Sequence, residues 1–86
     1  MTITKDGARF VETEIDDEVV LMDVESGTFF SLAGTSLAVW RLIDGSRGEG
    51  EIAAALAADY DAPVEQVAAD VAAFLAELRE AGLVTG

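Results

Sequence analysis

The sequence contains neither histidine nor cysteine, and each absence excludes a class of chemistry. Without cysteine there is no disulfide framework, no thiolate zinc site and no cysteine nucleophile. Without histidine the most frequent general base and metal ligand is also missing. The sequence offers no phosphate-binding glycine loop and no serine in a nucleophile elbow. These gaps predict that the protein is not an enzyme and has no catalytic residues.

Positive charge is scarce as well. Five Lys and Arg residues stand against 17 Asp and Glu residues, which gives a formal net charge of −12. A field of this sign repels a phosphate backbone, and the segment that would serve as a recognition helix carries Arg79 among several acids. Nucleic acid is therefore a poor partner. The carboxylate-rich stretch at residues 12–18 lacks the ligand spacing of a calcium loop, so we predict neither a metal nor a cofactor.

Long apolar runs are also missing. The N-terminal segment MTITKDGARF has no apolar signal-peptide core, and the stretch at residues 52–58 is far shorter than the roughly 20 residues of a membrane span. We therefore predict a cytoplasmic protein. The length of 86 residues and an apolar content of 51% indicate a single folded domain over residues 1–86, with a flexible end at residues 1–7.

Three apolar runs occupy the first part of the chain, at about residues 8–15, 19–22 and 28–32. Polar turn segments separate them, Asp16-Asp17-Glu18 in the first case and residues 25–27 in the second. Short runs joined in this way are typical of an antiparallel meander. We therefore predict a three-stranded antiparallel sheet.

Helical periodicity follows from residue 35 onward. The first helix is expected to begin with Thr35 or Ser36 as N-cap, to end near residue 44 and to bury Trp40. The second covers about residues 48–59 with a capping box beginning at Ser46, and the third runs from about residue 63 to Gly82, after which the chain folds back. The order β-β-β-α-α-α predicts an α+β fold of the winged helix-turn-helix type.

Four segments carry a resemblance to a known family. They read VVLMD, TFFSLAGTSLAVWRLIDG, EIAAALAADYDAP and VAADVAAFLAELREAGLV, in that order, and they cover about residues 10–84. The order and spacing of these segments resemble those of the PqqD-like family. Its members are also called RiPP recognition elements, because they bind precursors of ribosomally synthesised and post-translationally modified peptides.

The resemblance implies a stand-alone, non-catalytic module that binds the leader of a precursor peptide and delivers it to a modifying enzyme. That enzyme would be a leader peptidase, a cyclase or a radical enzyme of a lasso-peptide, PQQ-type or similar pathway. In the family the leader adds as a strand beside the third strand, in the cleft between this strand and the third helix. By position, the peptide-binding residues implied here are Thr28, Phe29, Phe30, Ser31, Leu32, Val67, Asp70, Val71, Phe74 and Glu77.

Two details of this site stay open in the sequence. Alternation places Phe29 and Ser31 on one face of the third strand and Phe30 on the other, so one phenylalanine is expected in the core and the other in the cleft. Asp70 and Glu77 are candidates to pair with Lys or Arg of a leader, or are simply solvated helix charges.

Other functions compatible with the same pattern are a winged-helix DNA-binding domain, which the charge disfavours, and a protein-interaction or subunit module that docks on an enzyme without binding a peptide. A free edge strand also offers a route to homodimerisation, which would compete with leader binding.

Overall fold

The structure is a computed structural model that describes residues 2–86. Five strands and three helices follow one another along these residues. In chain order they are β1 (Thr4–Lys5), β2 (Phe10–Ile15), β3 (Glu18–Asp23), β4 (Phe29–Leu32), α1 (Thr35–Leu42), α2 (Glu49–Tyr60), α3 (Val64–Ala81) and β5 (Val84–Thr85). The predicted α+β class, with three helices beside a three-stranded antiparallel sheet, is confirmed.

The larger sheet has the strand order β2-β3-β4, with both pairs antiparallel. Because side chains alternate along a strand, β3 turns Val19, Leu21 and Asp23 towards the helices, and all three are buried. The side chains of Val20 and Met22 lie on the outer face and are half-buried. One face of the sheet therefore supplies the core, and the other faces away from the helices.

The helices close the core from the other side. α2 packs against α3, and both bury an apolar stripe. Trp40 of α1 has no exposed surface, so its predicted place in the core is confirmed. Fully burying a side chain such as Ile52 or Leu75 stabilises the fold by about 1.5–3 kcal/mol before the cost of ordering the chain. The same packing fixes the position of α3 relative to α1.

The N-terminal segment differs from the prediction. Residues 4 and 5 form β1, which pairs antiparallel with β5, with Thr4 opposite Thr85. Ile3 is buried in the core, and Nζ of Lys5 lies 4.3 Å from the ring centroid of Trp40. The expectation of a flexible end was wrong for residues 3–5, because one buried apolar side chain and a two-residue strand leave no periodicity in the sequence. Residue 1 lies outside the described residues.

The predicted N-caps were also wrong. Gly34 precedes α1, and the hydroxyl of Ser36 instead donates to the carbonyl oxygen of Ala33 at 2.9 Å. Before α2 the Ser46 hydroxyl donates to Asp44, and the N–H of Gly48 donates to the carboxylate of Glu51. In both cases the serine hydroxyl forms a hydrogen bond within a local turn, and a glycine occupies the N-cap position instead, Gly34 for α1 and Gly48 for α2.

The end of α3 follows the sequence closely. Gly82 adopts the left-handed conformation with φ of 79°. The N–H of Leu83 donates to the carbonyl oxygen of Leu78 at 3.0 Å, which is the long bond of a Schellman motif. Leu83 and Val84 are both buried. The predicted fold-back after the helix is confirmed, and it is what brings β5 beside β1.

Candidate functional site

Strand β4 lies at one edge of the sheet and pairs only with β3 among the described strands. The N–H of Asp23 donates to the carbonyl oxygen of Thr28 at 2.8 Å, which fixes the alternation of the ladder. The N–H and C=O groups of Phe30 and Leu32 therefore point towards β3, whereas those of Phe29 and Ser31 point to the free edge. This edge presents two donors and two acceptors to an incoming strand.

The side chains of β4 divide between the two faces of the sheet. Leu32 is buried and Phe30 packs, half-buried, against the core. Phe29 is on the outer face with 68% of its surface exposed, and Ser31 shares that face. The phenylalanine that enters the core is thus Phe30. Neither phenylalanine ring lines the cavities between α1 and α3. Phe29 therefore contributes its main-chain N–H and C=O groups to the free edge of β4, and its ring does not enter these cavities.

Two adjoining cavities form a groove between the start of α1 and α3. The first, here called the apolar cavity, has a volume of about 230 Å³ and is lined by Thr35, Ser36, Val39, Asp70 and Phe74. The second, the polar cavity, has a volume of about 170 Å³ and is lined by Thr35, Leu56, Tyr60, Ala62, Gln66, Val67 and Asp70. Thr35 and Asp70 belong to both cavities, so the two cavities lie side by side. The groove starts at the junction where β4 ends and α1 begins.

The residues of α3 predicted for the site have three different positions. Val67, Asp70 and Phe74 line the groove. Val71 has no exposed surface, so it can support the groove from the core but cannot touch a ligand in this conformation. Glu77 is exposed and lines neither cavity. The structure therefore brings three of the five predicted α3 residues together in one groove, and their role in peptide binding stays a prediction.

The contribution of α1 was missed by sequence reasoning. Thr35, Ser36 and Val39 line the groove because the chain turns sharply between β4 and α1. Gly34 makes this turn with φ of 59° and ψ of −127°, a combination that side chains with a Cβ disfavour. The bond from the Ser36 hydroxyl to Ala33 fixes the same junction. The signal available in the sequence was the glycine between a strand and a helix.

The turn before β4 is fixed by charge. Nε of Arg9 lies 3.0 Å from Oδ1 of Asp23 and 2.9 Å from a carboxylate oxygen of Glu25. The Arg9 hydrogen bond, together with a bond from the N–H of Glu25, lowers the pKa of Asp23 from 3.8 to about 2. The N–H of Gly27 also donates to the carbonyl oxygen of Asp23 at 2.7 Å. These contacts hold the segment that leads into the free edge.

Two further observations limit the chemistry of the described residues. Within residues 2–86, no group of three or more Asp, Glu, His or Cys side chains is arranged to hold a metal ion. Over the same residues, no helix has the length and apolar character needed to cross a membrane.

A family model and two described relatives match this chain. The family model described as "Coenzyme PQQ synthesis protein D (PqqD)" matches residues 18–84. A relative from Gluconobacter oxydans (strain 621H), described as "PqqA binding protein", is 45% identical over 51 residues, which cover 59% of this chain and 53% of the relative. The match thus spans about half the length of that protein. A relative from Rhizobium meliloti (strain 1021), with the same description, is 35% identical over 72 residues, 84% of this chain and 71% of the relative.

Two solved structures are similar over the whole chain. One is "TbiB1 in Complex with the TbiA(beta) Leader Peptide", with a TM-score of 0.82, 34% identity and coverage of 100% of this chain and 96% of that chain. The other is "Lasso peptide synthetase B1 complexed with the leader peptide", with a TM-score of 0.80, 26% identity and coverage of 100% of both chains. Both similar structures contain a bound leader peptide.

Proposed function

The chain belongs to the PqqD family, and we propose that it is a recognition element that binds the leader of a ribosomally synthesised precursor peptide. The leader pairs as an additional strand with the free edge of β4 and places side chains in the groove between α1 and α3. Main-chain hydrogen bonds supply affinity in this binding mode, and the cavities for alternate side chains supply selectivity.

The observation that carries this proposal is an unpaired strand edge that ends at a groove. Outward N–H and C=O groups of Phe29 and Ser31 are available for pairing, and the cavities begin at Thr35, three residues beyond the end of β4. In support, the two similar solved structures each contain a leader peptide, and the two relatives are described as PqqA binding proteins. We assign the hydrogen bonds to the main chain of β4 and the side-chain contacts to Val67, Asp70 and Phe74.

The protein has no catalytic role in this proposal. It holds the precursor for a partner enzyme of the pathway, such as a leader peptidase, a cyclase or a radical enzyme, and it does so in the cytoplasm, where the precursor is made. The site offers main-chain donors and acceptors and shallow cavities, which suit the binding of an extended chain. The absence of histidine and cysteine from the sequence agrees with binding without chemistry.

Isothermal titration calorimetry tests the proposal directly. The probe is the synthetic leader of the precursor peptide encoded beside the gene for this chain, with a scrambled leader and the core peptide alone as controls. A disordered leader must be ordered on binding, so we expect a Kd between about 1 nM and 1 μM. No heat from this leader, together with tight binding of the protein to the partner enzyme, would instead support a subunit that docks without binding a peptide.

Amide hydrogen exchange measured by NMR separates strand addition from other binding modes. When the leader binds, the outward amides of Phe29 and Ser31 should become protected. The matched controls are the amides of Glu12 and Glu14, which point outward from β2 at the opposite edge of the sheet. Binding without protection on β4, or with protection on β2, would contradict the proposed mode.

A further inference from the structure

We propose that the ligand carries a Lys or Arg side chain that pairs with Asp70, two residues away from an apolar side chain that fills the apolar cavity beside Phe74. This inference rests on the proposed function, because it names the peptide chemistry that the groove selects. It assigns Asp70 as the residue that determines specificity for charge.

The protein has few basic side chains, and their contacts lie away from the groove. All five basic side chains contact groups outside the groove: Lys5 on Trp40, Arg9 with Asp23 and Glu25, Arg41 with Glu14, Arg47 with Asp44, and Arg79 with Glu49. Within residues 2–86, no cation lies within salt-bridge distance of Asp70. The groove therefore has negative charge that the folded chain does not neutralise.

Asp70 lies where the two cavities adjoin. It is exposed, and it lines both cavities, together with Thr35. The polar cavity also has Tyr60 and Gln66 in its lining, which offer hydrogen-bonding groups around a long charged side chain. The apolar cavity has Val39 and Phe74 in its lining instead. A ligand that crosses both cavities thus meets a carboxylate at the boundary between a polar and an apolar site.

The spacing of the two sites fits an extended peptide. Asp70 and Phe74 are four residues apart on α3, which corresponds to roughly 6 Å along the helix axis at 1.5 Å per residue. Alternate residues of a strand are about 6.6 Å apart and point to the same side. A peptide strand that runs along α3 therefore places residues i and i+2 opposite these two positions, in either direction.

The inference can be tested without knowing the natural leader. The probe is a displayed library of random 12-residue peptides, selected in parallel on the wild type and on Asp70→Lys. We expect peptides selected by the wild type to carry Lys or Arg two positions from Leu, Ile, Val, Met or Phe. Peptides selected by Asp70→Lys should carry Asp or Glu at the same distance.

Titration of one selected peptide then measures the effect of each charge. Asp70→Asn should lower the affinity about three- to tenfold, and Asp70→Lys should lower it further, because a charge pair at a partly desolvated interface contributes to both affinity and partner choice. Replacing the basic residue of the peptide with Glu should restore binding to Asp70→Lys, which a merely misfolded variant would not show. The matched controls, Glu80→Gln and Glu80→Lys, change an exposed charge on α3 that lines neither cavity, and should alter the affinity less than about twofold.

The outcomes distinguish the two proposals. Selected peptides without a basic preference, or equal losses for the Asp70 and Glu80 variants, would overturn the role of Asp70 and leave peptide binding intact. A wild type that enriches no peptide at all would contradict the proposed function itself.

Discussion

The two edge strands of the larger sheet, β2 and β4, differ in the charge of their residues and in their contacts with α1. On β2 the main-chain N–H and C=O groups of Glu12 and Glu14 point to the free edge, and the side chains of both residues contact α1. Nε1–H of Trp40 donates to Glu12 at 3.1 Å, and Arg41 donates to Glu14 at 2.7 Å. On β4 no residue is charged, and no side chain is tied to a helix in this way. Charged residues are a common means of preventing unwanted strand pairing. The comparison shows that β2 is protected and β4 is open.

Replacing the tryptophan that ties β2 to α1 should have the largest effect. Trp40→Ala removes a fully buried ring, its edge-to-face contact with Phe10 and the hydrogen bond to Glu12. We expect the free energy of unfolding to fall by about 3–5 kcal/mol, measured by urea denaturation followed by far-UV circular dichroism. Trp40→Phe keeps a ring and should cost less. A loss below about 1 kcal/mol for Trp40→Ala would show that this contact does not fix β2.

Proline substitutions compare the two edges directly. Ser31→Pro removes an outward N–H of β4, whereas Glu14→Pro removes an outward N–H of β2, so neither change breaks a bond within the sheet. We expect Ser31→Pro to weaken leader binding at least about tenfold, because a donor is lost and the proline ring obstructs the edge. Glu14→Pro should leave the affinity within about twofold. Calorimetry on both folded variants makes the comparison, and equal effects would argue against pairing at β4.

Acid should loosen the turn that leads into the open edge. The pKa of Asp23 is about 2 in the folded protein and 3.8 as its ordinary value, so its contribution to stability is complete above 3.8 and is lost as the pH falls towards about 2. Urea midpoints of the wild type and Asp23→Asn, measured from pH 5 to 2, should therefore converge as the pH falls. Asp17→Asn serves as the control for loss of one exposed carboxylate. A constant difference between wild type and Asp23→Asn would contradict this role.

The smallest effect on stability is expected from removing the exposed ion pair between Arg41 of α1 and Glu14 of β2. Arg41→Met removes the ion pair with Glu14, in which both side chains are more than half exposed. Such a pair contributes about 0–1 kcal/mol, so the urea midpoint should change little and leader affinity should not change. Arg47→Met is the comparison variant, because Arg47 also donates to the carbonyl oxygen of Leu42 and should cost more. If Arg41→Met lowers the urea midpoint more than Arg47→Met does, the Arg41–Glu14 ion pair stabilises the protein more than its exposure predicts.

Much of the fold could be predicted because its long elements repeat their pattern. The alternation of β3 and the apolar stripe of α3, including Val71, Leu75 and Leu78, follow from burial on one face. The short elements could not be predicted in this way. β1 and β5 have two residues each, and they form because Ile3 is buried and the chain after Gly82 returns beside it. Their pairing joins residues far apart in sequence, which local periodicity does not report.

The residues that line the groove could be predicted only in part, and their role in peptide binding stays a prediction. The resemblance indicated the third strand and the third helix, and Val67, Asp70 and Phe74 do line the groove. The resemblance also included Val71, which is wholly buried, and it did not include Thr35. Whether a residue of an amphipathic helix is accessible depends on its neighbours across the core. Helical spacing predicts to which side of the helix a side chain points. It does not predict how close the neighbouring element packs, and this distance decides whether the side chain is buried or accessible.

The sequence by itself determined the protein's charge, the absence of histidine and cysteine and the order of the longer strands and helices, because these depend on composition and on local periodicity. Only the tertiary structure decided which edge is open, which phenylalanine is buried and which residues meet in the groove. Those properties depend on the turn at Gly34 and on the contacts of β2 with α1, which bring together residues up to 30 positions apart. Local residue preferences cannot specify such contacts, since their free energy exists only once the core is packed.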